Sequence, residues 1–282
     1  MANSSKKLSD YLQTQIARGS FPGAQYVAGE EGRIKLEGAV GFAVTEPERI
    51  AATVDTIYDL ASLTKPLVTS LLAVILASFG VIDLSAPLGD YLSEFDDRRK
   101  RRITLTDLLT HVSGLPNWRP LYLETSHPAD VPAYISSLVE DATDAKKAQV
   151  VYSDLNYILL GRVLERVSGE RLDRLAQKHI FEPLGLERTM FNPPLALKRE
   201  IAATESGQTF ERANATCDAE ARGRGDAASG GGADVASDST SAIFFIPESV
   251  RLGATAPRHH SWRQGMIWGE VHDGNAHYLE GV

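Results

Sequence analysis

The sequence predicts a fold of the α/β (α+β) class, an antiparallel sheet flanked by helices and carrying a helix-rich subdomain. Three observations point to it. Residues 24–29 and 33–44 are β-prone runs joined at Glu30-Glu31-Gly32, the pattern of a hairpin opening an antiparallel sheet. From about residue 60 to 185 apolar residues recur at helical spacing between turn residues. From Trp262 to Val282 the chain becomes aromatic and patterned again and meets no closing element.

Taken in order, Leu8, Leu12 and Ile16 lie at i, i+4 and i+8, which predicts a helix on a core, ended by Gly19. Phe21-Pro22-Gly23 leads into the hairpin. A short alternating run, Thr56 to Leu60, precedes a long apolar helix from Pro66 to Phe79. Residues 81–88 form a turn-rich connector. Arg98 to Arg102 is basic without interleaved aromatics, so it reads as a solvated loop rather than a nucleic-acid patch. Ile103 to His111 predicts a short helix starting near Thr104 or Thr106, and Pro132 to Glu140 another. Ser153 or Asp154 is the expected N-cap of a helix over Leu155–Val167, closed by Ser168-Gly169. Leu172 to Ile180 is helical again. Residues 213–241 are rich in Ala, Gly, Ser and Asp, and residues 204–261 read as a flexible insertion. Within it Ile243-Phe244-Phe245-Ile246 is an apolar island, either a strand or an anchor. The expected organisation is one domain over 1–282: an N-terminal helix and strands (1–60), a helix-rich part (61–200), the insertion (204–261) and the start of a C-terminal part (262–282).

Length and composition set limits. The 282 residues, 43% hydrophobic and 23% charged, suffice for one large core or two smaller ones. The net charge of −8 argues against a nucleic-acid partner. Cys217 is the single cysteine, so no internal disulfide forms. Residues 1–7 are followed by an amphipathic run rather than an apolar one, so no secretory signal is read and a cytoplasmic location is expected. The longest apolar run, Leu67 to Phe79, is interrupted by Thr69, Ser70 and Ser78, and no membrane span is expected. His259, His260, His272 and His277 with Asp273 match no zinc spacing, so no metal site is expected.

The chemistry-bearing stretch is Ser62-Leu63-Thr64-Lys65. Residues i and i+3 share a helix face, which lets the Lys65 amine reach the Ser62 hydroxyl. A serine needs a base to become a nucleophile, and a desolvated lysine serves. Taken alone, the tetrapeptide is better explained as an N-cap serine with a solvated lysine. Tyr152-Ser153-Asp154, at a second helix entrance, strengthens the catalytic reading, because a tyrosine hydroxyl between lysine and serine relays a proton. Asp154 is placed to hold the lysine and to contribute to substrate binding.

These residues resemble the motifs of the serine β-lactamase and penicillin-binding-protein-like hydrolases, in particular the class C β-lactamase, D-peptidase and esterase branch. Ser62-Leu63-Thr64-Lys65-Pro66 corresponds to S-x-x-K and Tyr152-Ser153-Asp154 to Y-x-N. Framework stretches accompany them in family order: residues 21–24, 103–116, 157–161, 181–186, 189–191 and 269–276. The resemblance implies a β-lactamase/transpeptidase-like fold. It also implies a serine hydrolase acting through an acyl-enzyme on an ester, a β-lactam or a D-amino-acid amide. Ser62 is then the nucleophile, Lys65 and Tyr152 the base pair, and no cofactor is required. Asp154 departs from the family's Asn; its charge beside Lys65 favours the ammonium and shifts the work of the base to Tyr152. The family's third motif, K/H-T/S-G on a strand that supplies a second oxyanion donor, is expected beyond residues 269–276, and His272-Asp273-Gly274 is a poor substitute. The resemblance therefore implies a truncated member, its sheet incomplete at the C-terminus, lacking a donor whose loss costs roughly 10²–10³ in rate. The alternative expectation is a non-catalytic remnant of the same fold that binds a ligand or a partner. The oligomeric state is left open.

Overall fold

Leu8, Leu12 and Ile16 are half-buried along α1 (Ala2–Ala17), which packs on β2 of the sheet that follows. The computed structural model describes residues 2–98, 100–125, 127–141, 149–204, 244–248 and 263–267. They fall into two compact units. One holds residues 2–60 and 184–204 with the strands at 244–248 and 263–267, and the other holds residues 61–183.

In the first unit, β1 (Gly23–Glu30) and β2 (Arg33–Val44) form the expected antiparallel hairpin, with Gly23 opposite Gly41 and an irregularity at Ala28/Gly29. β2 alternates exposed and half-buried residues over its first half, as a strand with one covered face must. Gly41 has φ 74°, and a Cβ there would run into the Pro22 carbonyl and the Ile16 side chain, so this crossing of strand and helix needs glycine. β3 (Ile50–Ala51) adds antiparallel to β2. A second antiparallel sheet runs β4 (Tyr58–Asp59), β5 (Phe244–Glu248) and β6 (Arg263–Ile267), in that order. Residues 244–246 of the apolar island are thus a strand, with Phe245 opposite Tyr58. Ile57 is 0% exposed, packed against Met190, Leu197 and Ile201. Its N–H donates to the Glu200 carbonyl and its own carbonyl accepts from Ala202 N–H, each at 2.8 Å. That exchange returns the 184–204 segment to the strand-rich unit.

The second unit is helical. A 3₁₀ turn, Ala61–Leu63, and a π-helical stretch, Lys65–Ser70, lead into α2 (Leu71–Ser78), so the predicted helix begins earlier and is wider-wound at its start than periodicity suggests. π-turns often mark functional positions. Ala61–Ser78 is long and apolar enough to cross a bilayer by length and composition alone. Here Val68, Leu72, Ala73 and Leu76 are buried, and so is Lys65, while Leu63, Leu67, Leu71 and Val74 are exposed. The burial marks it as a core helix of this unit. α3 (Leu105–Leu109), α4 (Leu121–Glu124), α5 (Val131–Ser137), α6 (Asp154–Ser168) and α7 (Leu172–Ala176) follow. α6 touches α2, α3, α5 and α7, and its Leu155, Leu159, Leu160, Val163 and Leu164 are buried almost all round. Gly169, at φ 69°, ends it. The basic run is matched by acid: Arg101 pairs with Asp96 and Asp90, and Lys100 with Asp97.

α3 starts at Thr104 in a capping box. Thr104 Oγ1 accepts from Asp107 N–H at 3.1 Å, and Asp107 Oδ2 accepts from Thr104 N–H at 2.9 Å. Thr104→Ala is expected to lower stability by about 1 kcal/mol, read as a fall in the urea midpoint at unchanged m-value. Residues 205–243, 249–262 and 268–282 lie outside the described residues. So do most of the predicted insertion, the histidines weighed as metal ligands, and His272-Asp273-Gly274.

Candidate active site

Ser62 sits in the 3₁₀ turn just ahead of the π-helical stretch, half-buried. Ala61 before it has φ 43°, a left-handed backbone unusual for alanine. Such residues collect at functional turns, where the surrounding structure holds them in place. One helical turn on, Lys65 Nζ donates to Ser62 Oγ at 2.9 Å. The i, i+3 spacing thus gives the contact expected of it.

Lys65 is the centre of the site. Its side chain is 5% exposed, and Asp154 Oδ1, on a side chain 15% exposed, lies 2.7 Å from Nζ. That oxygen is buried and has no directed hydrogen bond among the described residues, so its contact with the ammonium is an ion pair. Two aromatic faces complete the enclosure: Nζ is 5.0 Å from the Tyr152 ring centroid and 6.0 Å from that of Tyr157. A buried lysine is tolerated here because a carboxylate and two ring faces replace its water.

Tyr152 is 52% exposed and presents its ring, rather than its hydroxyl, to the lysine. Among the described residues its hydroxyl makes no hydrogen bond, and Lys65 reaches Ser62 Oγ directly instead of through it. The three-residue spacing already brings Nζ to Ser62, the Asp154 carboxylate draws the same ammonium, and the Tyr152 ring packs on that of His111. All four residues singled out from the sequence therefore meet at one point, Lys65 Nζ.

A loop that the sequence marks only as part of a framework stretch holds them there. Residues 111–117 follow α3 and are laced to residues 151–156. Val151 N–H donates to the His111 carbonyl at 2.9 Å, and Asp154 N–H to the Asn117 carbonyl at 2.8 Å. Ser153 N–H donates to His111 Nδ1 at 3.1 Å, and Ser153 Oγ to the Pro116 carbonyl at 2.6 Å. Ser113 Oγ donates to Asn156 Oδ1 at 2.6 Å, both side chains being buried. Tyr157 Oη donates to the Leu109 carbonyl at 3.1 Å and bonds Ser70 Oγ at 2.9 Å, tying α6 to the helix that carries Lys65. The available signal was Asn156, a polar residue on an otherwise apolar helix face, three residues beyond an N-cap serine. Burial holds the His111 pKa below its ordinary value; the Lys65 charge adds to this and the Asp154 charge opposes it. Among the described residues, no group of three or more His, Cys, Asp or Glu side chains converges.

The Beta-lactamase family matches residues 8–274 of the chain. Over 225 residues the chain is 31% identical to N-acetylmuramyl-L-alanine amidase of Bacillus subtilis (strain 168), covering 71% of this chain and 49% of that protein. The chain spans about half the length of the curated relatives it matches. Among solved structures, the octameric penicillin-binding protein homologue from Pyrococcus abyssi superposes with a TM-score of 0.62 at 25% identity, covering 73% of this chain and 49% of that one. The beta-lactamase from Sulfitobacter sp. EE-36 gives 0.62 at 27% identity, covering 73% and 56%. With its serine and lysine one helical turn apart, its α+β architecture and a match over nearly its whole length, this chain belongs to the beta-lactamase family.

Proposed function

We propose that the chain is a serine hydrolase that transfers the acyl group of an ester, a β-lactam or a D-amino-acid amide to Ser62 and then to water. The observation that carries this reading is the 2.9 Å contact from Lys65 Nζ to Ser62 Oγ, with the Asp154 carboxylate and the Tyr152 ring against the same ammonium. Family membership supports the substrate classes in general. The similarity to an amidase of muramyl-alanine bonds and to a beta-lactamase fits amide and strained-amide carbonyls. In the first half-reaction Ser62 Oγ bonds to the carbonyl carbon, its proton passes through Lys65 or Tyr152 to the leaving group, and the C–N or C–O bond breaks. Water reverses the sequence and frees the acid. The test is mass spectrometry of the chain after exposure to a fluorescent penicillin or a fluorophosphonate. A covalent adduct on Ser62 supports the reading, and a folded, unlabelled chain refutes it.

Asp154 bears on how fast this step runs. An ammonium paired to a carboxylate donates to the serine oxygen and has no lone pair to take its proton. Asp154→Asn keeps the shape and removes the charge, so it is expected to speed labelling of Ser62 by about tenfold, some 1.4 kcal/mol of barrier. Slower labelling would assign Asp154 itself to the proton path.

A further inference from the structure

His111 is held in a state that its sequence neighbours do not require. Its φ is 58°, in the left-handed region. Its carbonyl is fixed by Val151 N–H at 2.9 Å and its own N–H bonds the Leu108 carbonyl at 3.3 Å. The imidazole meets the segment that carries Tyr152 and Asp154 of the candidate site. The ring lies 4.7 Å from the Tyr152 ring and 5.1 Å from the Tyr157 ring.

The protonation state of the ring follows from its partners. Ser153 N–H can only donate, and it meets Nδ1 at 3.1 Å. The Asn156 amide is oriented by Ser113 Oγ, which donates to its Oδ1, so its Nδ2 also presents hydrogen to Nδ1, at 3.3 Å. Two donors converge on one nitrogen, which must carry a lone pair. His111 is thus neutral in this arrangement, with its proton on Nε2. A second proton would oppose both donors at once. The charged and titratable groups that face the ring are Lys65 from the π-helical stretch, Asp154 and Tyr152 at the entrance to α6, and Tyr157 within it.

We propose that His111 is a positioning residue of this site: as a neutral imidazole it holds the Ser153 amide and the Tyr152 ring against Lys65, and its protonation releases both. This rests on the Ser62 hydrolase reading only for its effect on labelling. The sign is set by burial and the Lys65 charge, which lower the affinity of His111 for a proton. The stabilisation is complete above the ordinary histidine value of 6.5 and is lost as pH falls through the lower native value.

Two variants and two readouts test it. His111→Asn places an amide oxygen near the position of Nδ1, tolerates a left-handed backbone and does not titrate. His111→Ala provides no acceptor. Fluorophosphonate labelling of Ser62 is followed from about pH 4.5 to 8, a range that spans histidine titration, with far-UV circular dichroism as the check on folding. The wild-type rate is expected to fall on the acid side. The Asn variant keeps the neutral rate and lacks that fall, and the Ala variant is about tenfold slower at neutral pH. Identical acid limbs in wild type and the Asn variant overturn the proposal, as does a folded Asn variant as slow as the Ala variant. Independently of labelling, an NMR titration follows the His111 ring and the Ser153 amide. A shared midpoint supports the proposal, and a Ser153 amide that ignores the ring titration overturns it. Absence of labelling at every pH would refute the hydrolase reading and leave the NMR result to decide the role of His111.

Discussion

Ser62→Ala is expected to abolish covalent labelling by fluorescent penicillin and fluorophosphonate alike, while the chain keeps its circular-dichroism spectrum and its urea midpoint. The reason is that Ser62 Oγ is the hydroxyl to which Lys65 Nζ is directed, at 2.9 Å. Thr64, next in the same turn, is buried. Deleting a nucleophile removes the covalent path altogether, with turnover of an activated ester falling by at least about 10³-fold. The alanine also removes one acceptor from Lys65 but leaves the Asp154 ion pair in place, so stability changes little. A Ser62→Ala chain that still labels would place the nucleophile elsewhere and refute the assignment.

Lys65→Met is expected to have the largest effect on stability. The methionine fills most of the volume but leaves the Asp154 carboxylate, 15% exposed and with a buried Oδ1, without the ammonium that offsets its burial. Breaking a buried pair from one side costs about 3 kcal/mol. The double variant Lys65→Met, Asp154→Leu removes both charges and is expected to recover most of that loss, since an apolar pair of similar size packs about as well as an ion pair. Urea denaturation of the single and double variants measures this. A single variant as stable as the wild type would mean that water or a rotation of Asp154 relieves the charge. Both variants should be inert to the fluorophosphonate.

The fold was legible wherever one periodicity ran unbroken. The alternation over residues 33–38 is that of a strand with one covered face, and the hairpin follows from the short turn before it. The cap at Thr104 was legible as one of two threonines, and the N-cap of α6 as one of two residues. Geometry chose Thr104 and Ser153, because only they place an oxygen on the N–H three residues ahead. The π-helical start of the Lys65 helix was not legible, since a one-residue widening leaves the apolar pattern almost unchanged. Nor was the division of labour around Lys65. The Tyr152 hydroxyl was expected between lysine and serine, whereas its ring face meets the ammonium. Side-chain orientation of that kind depends on partners forty or more residues away, here His111.

By itself, then, the sequence determined the local facts: the helix and strand periods, the three-residue reach from Lys65 to Ser62, and the charge that Asp154 brings in place of an amide. These are set by covalent spacing and residue chemistry, which do not change on folding. Only the tertiary structure decided that His111, Ser113, Asn117, Asn156 and Tyr157 brace the site. Hydrogen bonds between the 111–117 loop and the entrance to α6 join residues distant in the chain, and neither segment alone encodes the other's position. The protonation of His111 belongs to that second class, because it follows from two donors that meet at one nitrogen only when the chain is folded.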